Sequence, residues 1–472
     1  MSNAALLIDF GSTYTKLRAI DLDRCEVLGS GQGPSTVATD ITAGLHAGLT
    51  DLERRIGTLP RFKYRLASSS AAGGLRMVTV GLVRELTAEA ARRAALGAGA
   101  RVVATFAYRL TAGDMARILE LAPDILLLAG GTDGGNSEVI VHNAGLLGAS
   151  TVACPVIYAG NRSAADEACS QLRGKTVIVT ENVMPEFNVL GIEPARAAIR
   201  KVFIDRIVHA KGMDRAQADL DAVLMPTPAA VLEGARLLAD GAPGHAGLGP
   251  LLVVDPGGAT TDVHSIATGE PATPGAIPQG LPEPREKRTV EGDLGMRHNA
   301  SAIVEAAGID AIARDSGLRP ERIASLVARM AREVGMLPEA PEEAALDRAL
   351  ARAAVALAVK RHCGTVSTVY TPTGPVVAQH GKDLTHVAAV IGTGGAVVES
   401  PDPRAILAGA LADAADPASL RPRHPRLLLD RHYLLYACGL LGAVDAQAAL
   451  ELALKHIEPL DQESPHERAR YG

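Results

Sequence analysis

The chain has 472 residues, of which 47% are hydrophobic, and this content can fill several domain cores, which excludes a disordered chain. A formal net charge of −6 and an aromatic content of 3%, without tryptophan, argue against nucleic-acid binding. No run approaches the roughly 18–20 apolar residues of a membrane helix. The five cysteines are scattered and never spaced C-x-x-C, so we expect a cytoplasmic protein with reduced thiols, bound to neither membrane nor nucleic acid.

Short apolar runs alternate with longer amphipathic runs, which is typical of α/β layers. In the first half the pattern predicts strands over 4–10, 16–22, 25–30, 101–106 and 124–129, helices over 40–55, 87–96 and 114–121, and strand–helix units over 151–172 and 176–209. In the second half it predicts strands over 251–254, 263–266 and 387–391, and helices over 299–307, 320–332, 342–362 and 427–441. The stretch 240–250, rich in Gly and Pro, predicts a boundary between an N-terminal lobe, 1–245, and a C-terminal lobe, 246–472.

The chain opens with a strand–turn–strand motif that carries a carboxylate at the end of its first strand. Asp9 is a hard oxygen ligand suited to holding Mg²⁺ through water, which makes it a candidate metal-binding and catalytic residue. Backbone N–H groups, hydroxyls and one amine around the turn can surround phosphate oxygens. These candidate phosphate-binding residues are Gly11, Ser12, Thr13, Thr15 and Lys16. Taken alone, the motif is equally consistent with an ordinary hairpin that has a polar turn.

The same pattern, D-x-G-x-x-x-T, returns at Asp255 about half a chain later, which indicates two copies of one unit. Asp255 is the second candidate metal-binding and catalytic residue, and Asp262 is a candidate for orienting a catalytic water. The candidate phosphate-binding residues of this motif are Gly257, Gly258, Thr260 and Thr261. Two such hairpins can hold the phosphates and the metal of one nucleotide, and positioning with electrostatic stabilisation is most of what phosphoryl transfer requires.

A third glycine-rich turn follows the late strand 387–391. It consists of Gly392, Thr393, Gly394 and Gly395, which can present a flat backbone surface to an adenine ring and its ribose. A hydroxyl-rich stretch at 68–74 is either an anion-binding nest or a flexible turn.

Together these motifs resemble the actin/Hsp70/sugar-kinase superfamily, in which two lobes hold ATP and Mg²⁺. More narrowly, the chain resembles the glutamate mutase accessory protein family, called MutL and unrelated to mismatch-repair MutL. The residues that carry the closer resemblance are IDFGSTYTK (8–16), LASSSAAGGLRMVTVGL (66–82), LLLAGGTDGGN (126–136), DPGGATTDVHS (255–265), TVEGDLGMR (289–297) and VIGTGGAVV (390–398). The resemblance extends from residue 4 to about residue 441.

This resemblance implies an α/β, two-lobed actin-like ATPase made of duplicated ribonuclease-H-like domains. It also implies ATP/ADP and Mg²⁺ as ligands, an adenosylcobalamin-dependent mutase as partner, and a slow ATPase that drives release of damaged cobalamin. Residues of about 100–210 exceed a minimal lobe, so we expect an α/β insertion there that contacts the mutase. The sequence leaves homo-oligomer formation open.

Two other functions are compatible with the same fold. A small-molecule kinase needs a carboxylate base for an acceptor hydroxyl, and the sequence identifies none. An actin-like filament protein is disfavoured by the lack of an amphipathic membrane helix. A dehydratase-activating reductase of this superfamily needs paired cysteines for an iron–sulfur cluster, and the cysteine spacing disfavours it.

Overall fold

The computed structural model describes residues 3–11, 14–36, 41–70, 75–210, 220–372 and 374–460. The chain forms two compact units. The first contains Met1–Gly234, Gly280–Pro282 and Tyr436–Leu452, and the second contains Ala235–Gln279, Glu283–Leu435 and Ala453–Gly472. Each unit is discontinuous in sequence, since the late segment Tyr436–Leu452 belongs to the first unit.

The first 240 residues contain strands and helices in alternation. In chain order the described elements are β1 (Ala4–Phe10), β2 (Tyr14–Asp21), β3 (Glu26–Pro34), α1 (Ile41–Ile56), β4 (Phe62–Ser69), β5 (Arg76–Gly81), α2 (Glu89–Gly97), β6 (Arg101–Ala107), α3 (Ala112–Leu121), β7 (Ile125–Leu128), α4 (Glu138–Ala149), β8 (Val156–Tyr158), α5 (Ala165–Gln171), β9 (Val177–Val179), α6 (Glu193–Ala210), β10 (Ala222–Pro226) and α7 (Thr227–Asp240).

The first sheet of this unit has the strand order β10-β4-β1-β2-β3. Strands β1, β2 and β3 form an antiparallel meander, whereas β4 and β10 run parallel to β1. All seven residues of the central strand β1 are buried. Helix α1 lies so close to β3 that a Cβ atom at Gly31 would overlap the backbone of Gly48. Glycines in the GSGQG run of β3 therefore let the helix approach the sheet.

A second sheet in the first unit is entirely parallel, with the order β6-β5-β7-β8-β9. This is the doubly wound order 2-1-3-4-5. This sheet begins at Arg76, and the strands and helices that follow include the residues of about 100–210 for which the sequence predicts an α/β insertion. The six-residue strand β5 was missed because a short apolar run without clear alternation cannot be assigned from periodicity alone.

The remaining residues contain the second unit and the helices that end the described chain. In chain order the elements are β11 (Gly241–Ala242), β12 (His245–Ala246), β13 (Leu251–Pro256), β14 (Thr261–Ile266), β15 (Ile277–Gln279), β16 (Glu286–Glu291), α8 (Ala300–Ala307), α9 (Ile309–Ser316), α10 (Pro320–Arg332), α11 (Pro341–His362), β17 (Thr365–Thr371), β18 (Gly374–His380), β19 (Ala389–Gly392), α12 (Gly395–Val398), α13 (Pro403–Leu407), β20 (Arg426–Leu429), α14 (Leu435–Gly442), α15 (Ala446–His456) and β21 (Glu458–Pro459).

The main sheet of the second unit has the order β16-β14-β13-β19-β20-β21. Strands β13, β14 and β16 are antiparallel, and β19 and β20 run parallel to β13. Counted from the first strand of each sheet, five strands of both sheets read 3-2-1-4-5 with the same directions, and the sheet of the second unit has β21 as a sixth strand, antiparallel to β20. This repeated ribonuclease-H-like order confirms the predicted two-lobed, actin-like α/β fold.

One secondary-structure prediction in this region is wrong. The segment 427–441 was predicted as a single helix, but Arg426–Leu429 is strand β20 and the helix α14 begins only at Leu435. The run Arg-Leu-Leu-Leu is too short for periodicity to separate a buried strand from a helix. None of the helices in the described residues is both long and apolar enough to span a membrane.

Candidate functional site

Asp9 lies at the end of the central strand of the first sheet, with polar side chains on both neighbouring strands. The strand register places Lys16 of β2 and Ser68 of β4 directly opposite Asp9. Paired residues point to the same face of a sheet, so these three side chains share one face. Asp9 is buried, with 9% of its surface exposed.

Thr227, the first residue of α7, holds the Asp9 carboxylate. Its hydroxyl lies 2.5 Å from Asp9 Oδ1 and 3.2 Å from Ser68 Oγ, while Ser68 Oγ is 3.5 Å from the same Oδ1. The sequence analysis missed Thr227, which is 218 residues from Asp9 in the chain. Its only sequence signal was a polar residue between two prolines (Pro-Thr-Pro) directly after an apolar run.

Burial raises the pKa of Asp9 above its ordinary value. The hydrogen bond from Thr227, the charge of Lys16 and the contact with Ser68 oppose this shift without cancelling it. A cation bound beside the carboxylate would stabilise its charged form. Within the described residues no group of three or more His, Cys, Asp or Glu side chains is placed to hold a metal ion. A lone buried carboxylate fits Mg²⁺, which is often held by one or two carboxylates together with water and substrate phosphates.

The other predicted phosphate-binding residues of the first hairpin differ in where the structure places them. Gly11 closes the turn, since its N–H donates to Tyr14 O at 3.1 Å, and a Cβ atom at this position would lie 2.6 Å from that oxygen. Ser12 and Thr13 lie outside the described residues. Thr15 is fully buried and faces Gly44 of α1, on the opposite side of the sheet from Asp9. The Thr15 side chain therefore does not join the Asp9 cluster.

Asp255 occupies the equivalent place at the end of β13 in the second unit. It is paired in register with Asp262 of β14, and the turn between them is closed by Gly257 N–H donating to Thr260 O at 2.8 Å. Gly258 is exposed at the tip of this turn. The hydroxyl of Thr261 instead donates to Leu294 O at 2.7 Å in the interior.

The segment that follows β16 braces this second hairpin. Met296 N–H donates to Gly257 O at 3.0 Å, and Arg297 N–H donates to Gly258 O at 2.9 Å. Gly295 lies so close to Ala259 that a Cβ atom would overlap its backbone. These contacts fix the turn conformation without using the side of the turn that faces solvent, and they give the TVEGDLGMR motif a structural role.

Asp262 forms a partly buried ion pair with Arg288. Its Oδ1 accepts from Arg288 Nε at 2.8 Å and Nη2 at 2.5 Å, while Thr260 Oγ1 donates to its Oδ2 at 3.2 Å. Arg288 was not identified from the sequence. Next to this pair, burial and the Arg288 charge lower the pKa of His264 to about 3, so this imidazole is neutral. The ion pair holds Asp262 in one position and leaves its Oδ2 less encumbered than its Oδ1.

The glycine turn after β19 approaches Asp255 directly. Gly394 has φ of +86°, and a Cβ atom there would overlap Asp255 Oδ1. A Cβ atom at Gly395 would lie 3.6 Å from the hydroxyl of Tyr433, an aromatic residue that the sequence analysis missed. Close approach of the backbone to the carboxylate therefore requires glycine at 394.

Two of the four predicted adenosine-binding residues have structural roles. Thr393 is buried and lies 3.3 Å from Asp430 Oδ2 through its hydroxyl. Asp430 in turn accepts from the backbone N–H groups of Leu434 and Leu435 at the start of α14. Gly392 is the last residue of β19 and is packed against Leu407. Gly394 and Gly395 are the two members of the turn that lie beside Asp255 and Tyr433.

Comparison with known proteins agrees with the resemblance inferred from the motifs. A curated relative, "Protein MutL" of Clostridium tetanomorphum, is 46% identical over 459 residues, which cover 96% of this chain and 99% of the relative. Among solved structures, xylulose kinases from Bifidobacterium adolescentis and Lactobacillus acidophilus align over 98% and 99% of this chain and 95% of each kinase, at 11% and 10% identity and TM-scores of 0.31 and 0.37. The fold assignment rests on the strand order. The MutL protein family model matches residues 5–457, and the chain belongs to this family.

Proposed function

We propose that this protein is an ATP-dependent reactivating factor for an adenosylcobalamin-dependent mutase of the glutamate mutase or aminomutase type. The observation that supports ATP chemistry is the buried carboxylate of Asp9, held by Thr227 at a strand end of one ribonuclease-H-like sheet. Asp255 stands at the equivalent strand end of the second such sheet. The mutase partner follows from membership of the MutL family and from the role that the resemblance implies for it.

In this proposal the chain's own residues position a nucleotide rather than react with it. Asp9 of the first unit and Asp255 of the second would each hold Mg²⁺ through water, and Lys16, beside Asp9, would contact a phosphate. Mg²⁺, when bound, would neutralise charge that develops on the transferred phosphoryl group. Asp262, fixed by Arg288, orients the attacking water through its Oδ2. The turns at Gly11, at Gly257 and Gly258, and at Gly394 and Gly395 bring backbone close to the nucleotide.

Hydrolysis would change what each hairpin binds, from a γ-phosphate to none, and so favour different lobe arrangements in the ATP and ADP states. We propose that this change drives release of damaged cobalamin from the mutase. The second sheet of the first unit, β5 to β9, is the proposed contact surface for the mutase. It carries exposed aromatic side chains in its flanking loops, Tyr108 at 55% and Phe187 at 69% exposure.

The first experiment measures Mg²⁺-dependent ATP binding by calorimetry and ATP hydrolysis by phosphate release. We expect Asp9→Asn and Asp255→Asn each to lower the hydrolysis rate by about a hundredfold or more, since each replaces a negatively charged carboxylate proposed to hold the metal by a neutral amide. Asp310→Asn, at an exposed position in α9, is the matched control and should hydrolyse ATP at the unaltered rate. Full activity in both site variants, or no nucleotide binding by the unaltered protein, would refute the ATPase proposal.

The second experiment tests the partner. The full-length protein with MgATP is added to a mutase inactivated with a cobalamin that lacks the adenosyl group, and recovery of mutase activity is followed after adding adenosylcobalamin. We expect the double variant Tyr108→Ser, Phe187→Ser to lose reactivation while keeping ATP hydrolysis. ATP consumption that needs a metabolite and no mutase would instead favour the small-molecule kinase.

A further inference from the structure

A groove of about 650 Å³ lies within the second unit, apart from the residues proposed to bind nucleotide. It is formed by α8, α9, one face of α11 and the loop that precedes β20. Its floor is made of small side chains of α11, namely Ala349, Ala353 and Ala356. This volume falls within the roughly 300–1,000 Å³ of small-molecule sites in proteins.

Most charges around the groove are already paired. Arg352 donates to Asp315 at 2.9 Å, and Lys360 Nζ lies 2.8 Å from Asp416 Oδ2. The hydrogen bond from Lys360 lowers the pKa of Asp416, and the nearby Arg421 charge acts in the same direction. These two pairs leave no net charge on the four side chains involved.

Arg421 differs from these four side chains. It lines the groove and is 6% exposed, yet its Nε has no hydrogen-bond partner among the described residues. Its Nη1 makes one long contact, 3.5 Å from Gly409 O. A buried donor left unsatisfied is unfavourable, and more so when it is charged, so a buried guanidinium at a groove is expected to have an acceptor.

The composition of the rim restricts what that acceptor is. Arg314 adds a second cation, and Asp413 adds a carboxylate that repels additional negative charge. A guanidinium presents a planar fork that matches the two oxygens of a carboxylate or a phosphate. The alanine floor provides apolar surface for a hydrocarbon portion of the ligand.

We propose that this groove binds a small metabolite with one carboxylate or phosphate group, which Arg421 anchors and whose apolar portion lies on the alanines of α11. The site is separate from the proposed nucleotide site and does not depend on ATP chemistry.

The test is calorimetric titration of the full-length protein with phenyl phosphate and with benzoate, using benzamide as the neutral counterpart of benzoate. We expect saturable binding of at least one anion at concentrations up to about 10 mM, and none of benzamide. Arg421→Met should weaken binding about tenfold or more, since it removes the charge-assisted hydrogen bonds and keeps most of the side-chain volume. Arg423→Met, at an exposed arginine two residues away, is the control and should bind as the unaltered protein does.

Because Arg421 is buried, replacing it can impair folding, so a second variant tests the groove without changing Arg421. Ala353→Leu fills the floor of the groove without changing any charge and should also weaken anion binding about tenfold. Thermal unfolding, measured in parallel, reports whether each variant is folded, and because it needs no ATP hydrolysis it keeps this test distinct from that of the proposed function. The proposal is wrong if neither anion binds to the unaltered protein, if benzamide binds equally well, or if both variants bind like the unaltered protein.

Discussion

The buried carboxylate of Asp9 makes a prediction about stability that is independent of any ligand. Its pKa is raised by burial, so the folded protein binds a proton there more tightly than the unfolded chain does. The stability that this group contributes is complete below the unfolded pKa of about 4, and is lost as the pH rises through the higher folded pKa. At neutral pH, where the unfolded chain carries a solvated charge at this position, the burial of Asp9 therefore destabilises the first unit.

Asp9→Asn removes that charge and keeps a side-chain oxygen that can accept from Thr227. We expect the variant to be more stable than the unaltered protein at pH 7, by about 1.4 kcal/mol for each unit by which the folded pKa exceeds the unfolded one. This difference should fall towards zero below about pH 4, where both forms are uncharged. Each kcal/mol corresponds to roughly 2–4 °C in the unfolding temperature of a unit of this size.

The assay is thermal unfolding by calorimetry between pH 4 and pH 8, with and without MgATP. Binding of MgATP should stabilise the unaltered protein and leave Asp9→Asn unchanged, which reverses their order. Asp262→Asn is the matched control, because it leaves the buried Arg288 without its partner and should destabilise by about 3 kcal/mol at pH 7. An Asp9→Asn protein that is less stable than the unaltered one by the same amount at every pH would refute the reasoning.

Three further substitutions test individual contacts. Thr227→Val removes the hydrogen bond to Asp9 and should raise the pH at which ATP hydrolysis reaches half its maximum. Thr227→Ser keeps a hydroxyl and should show the pH profile of the unaltered protein. Hydrolysis rates measured between pH 5 and 9 distinguish these outcomes. Gly394→Ala should weaken nucleotide binding in calorimetry and destabilise by about 1–3 kcal/mol, because a Cβ atom overlaps Asp255 at a positive φ. Gly439→Ala should lower the denaturation midpoint by an equivalent of about 1–3 kcal/mol in urea titrations, since it forces α14 away from α7 without touching a proposed site.

The repeated strand–turn pattern allowed the fold class and the two carboxylate positions to be predicted, because a buried apolar run that ends in Asp-x-Gly is a local feature. The partners of those carboxylates could not be predicted from the sequence. Thr227 and Ser68 meet Asp9 only through the parallel pairing of three strands, and Arg288 meets Asp262 only through the pairing of β14 with β16.

Side-chain direction accounts for other differences between prediction and structure. Thr15 and Lys16 are adjacent in the sequence, yet strand geometry places them on opposite faces, and only Lys16 shares a face with Asp9. The hydroxyls of Thr261 and Thr393 were expected at a ligand but are used inside the protein, by Leu294 O and Asp430. A threonine next to a glycine turn does not reveal from its sequence which of these two uses it has.

The point of attachment of the second sheet couples it to Asp9. The chain leaves the first sheet just after Ser68, at the end of β4, and returns to it through β10, directly before Thr227. The hydroxyls of Ser68 and Thr227 are in contact although 159 positions separate them in the chain. This contact joins the two points at which the second sheet is connected to the first. Both connections to the second sheet therefore start beside a residue that contacts the Asp9 carboxylate, and a displacement of that sheet by a bound protein would act on the surroundings of Asp9.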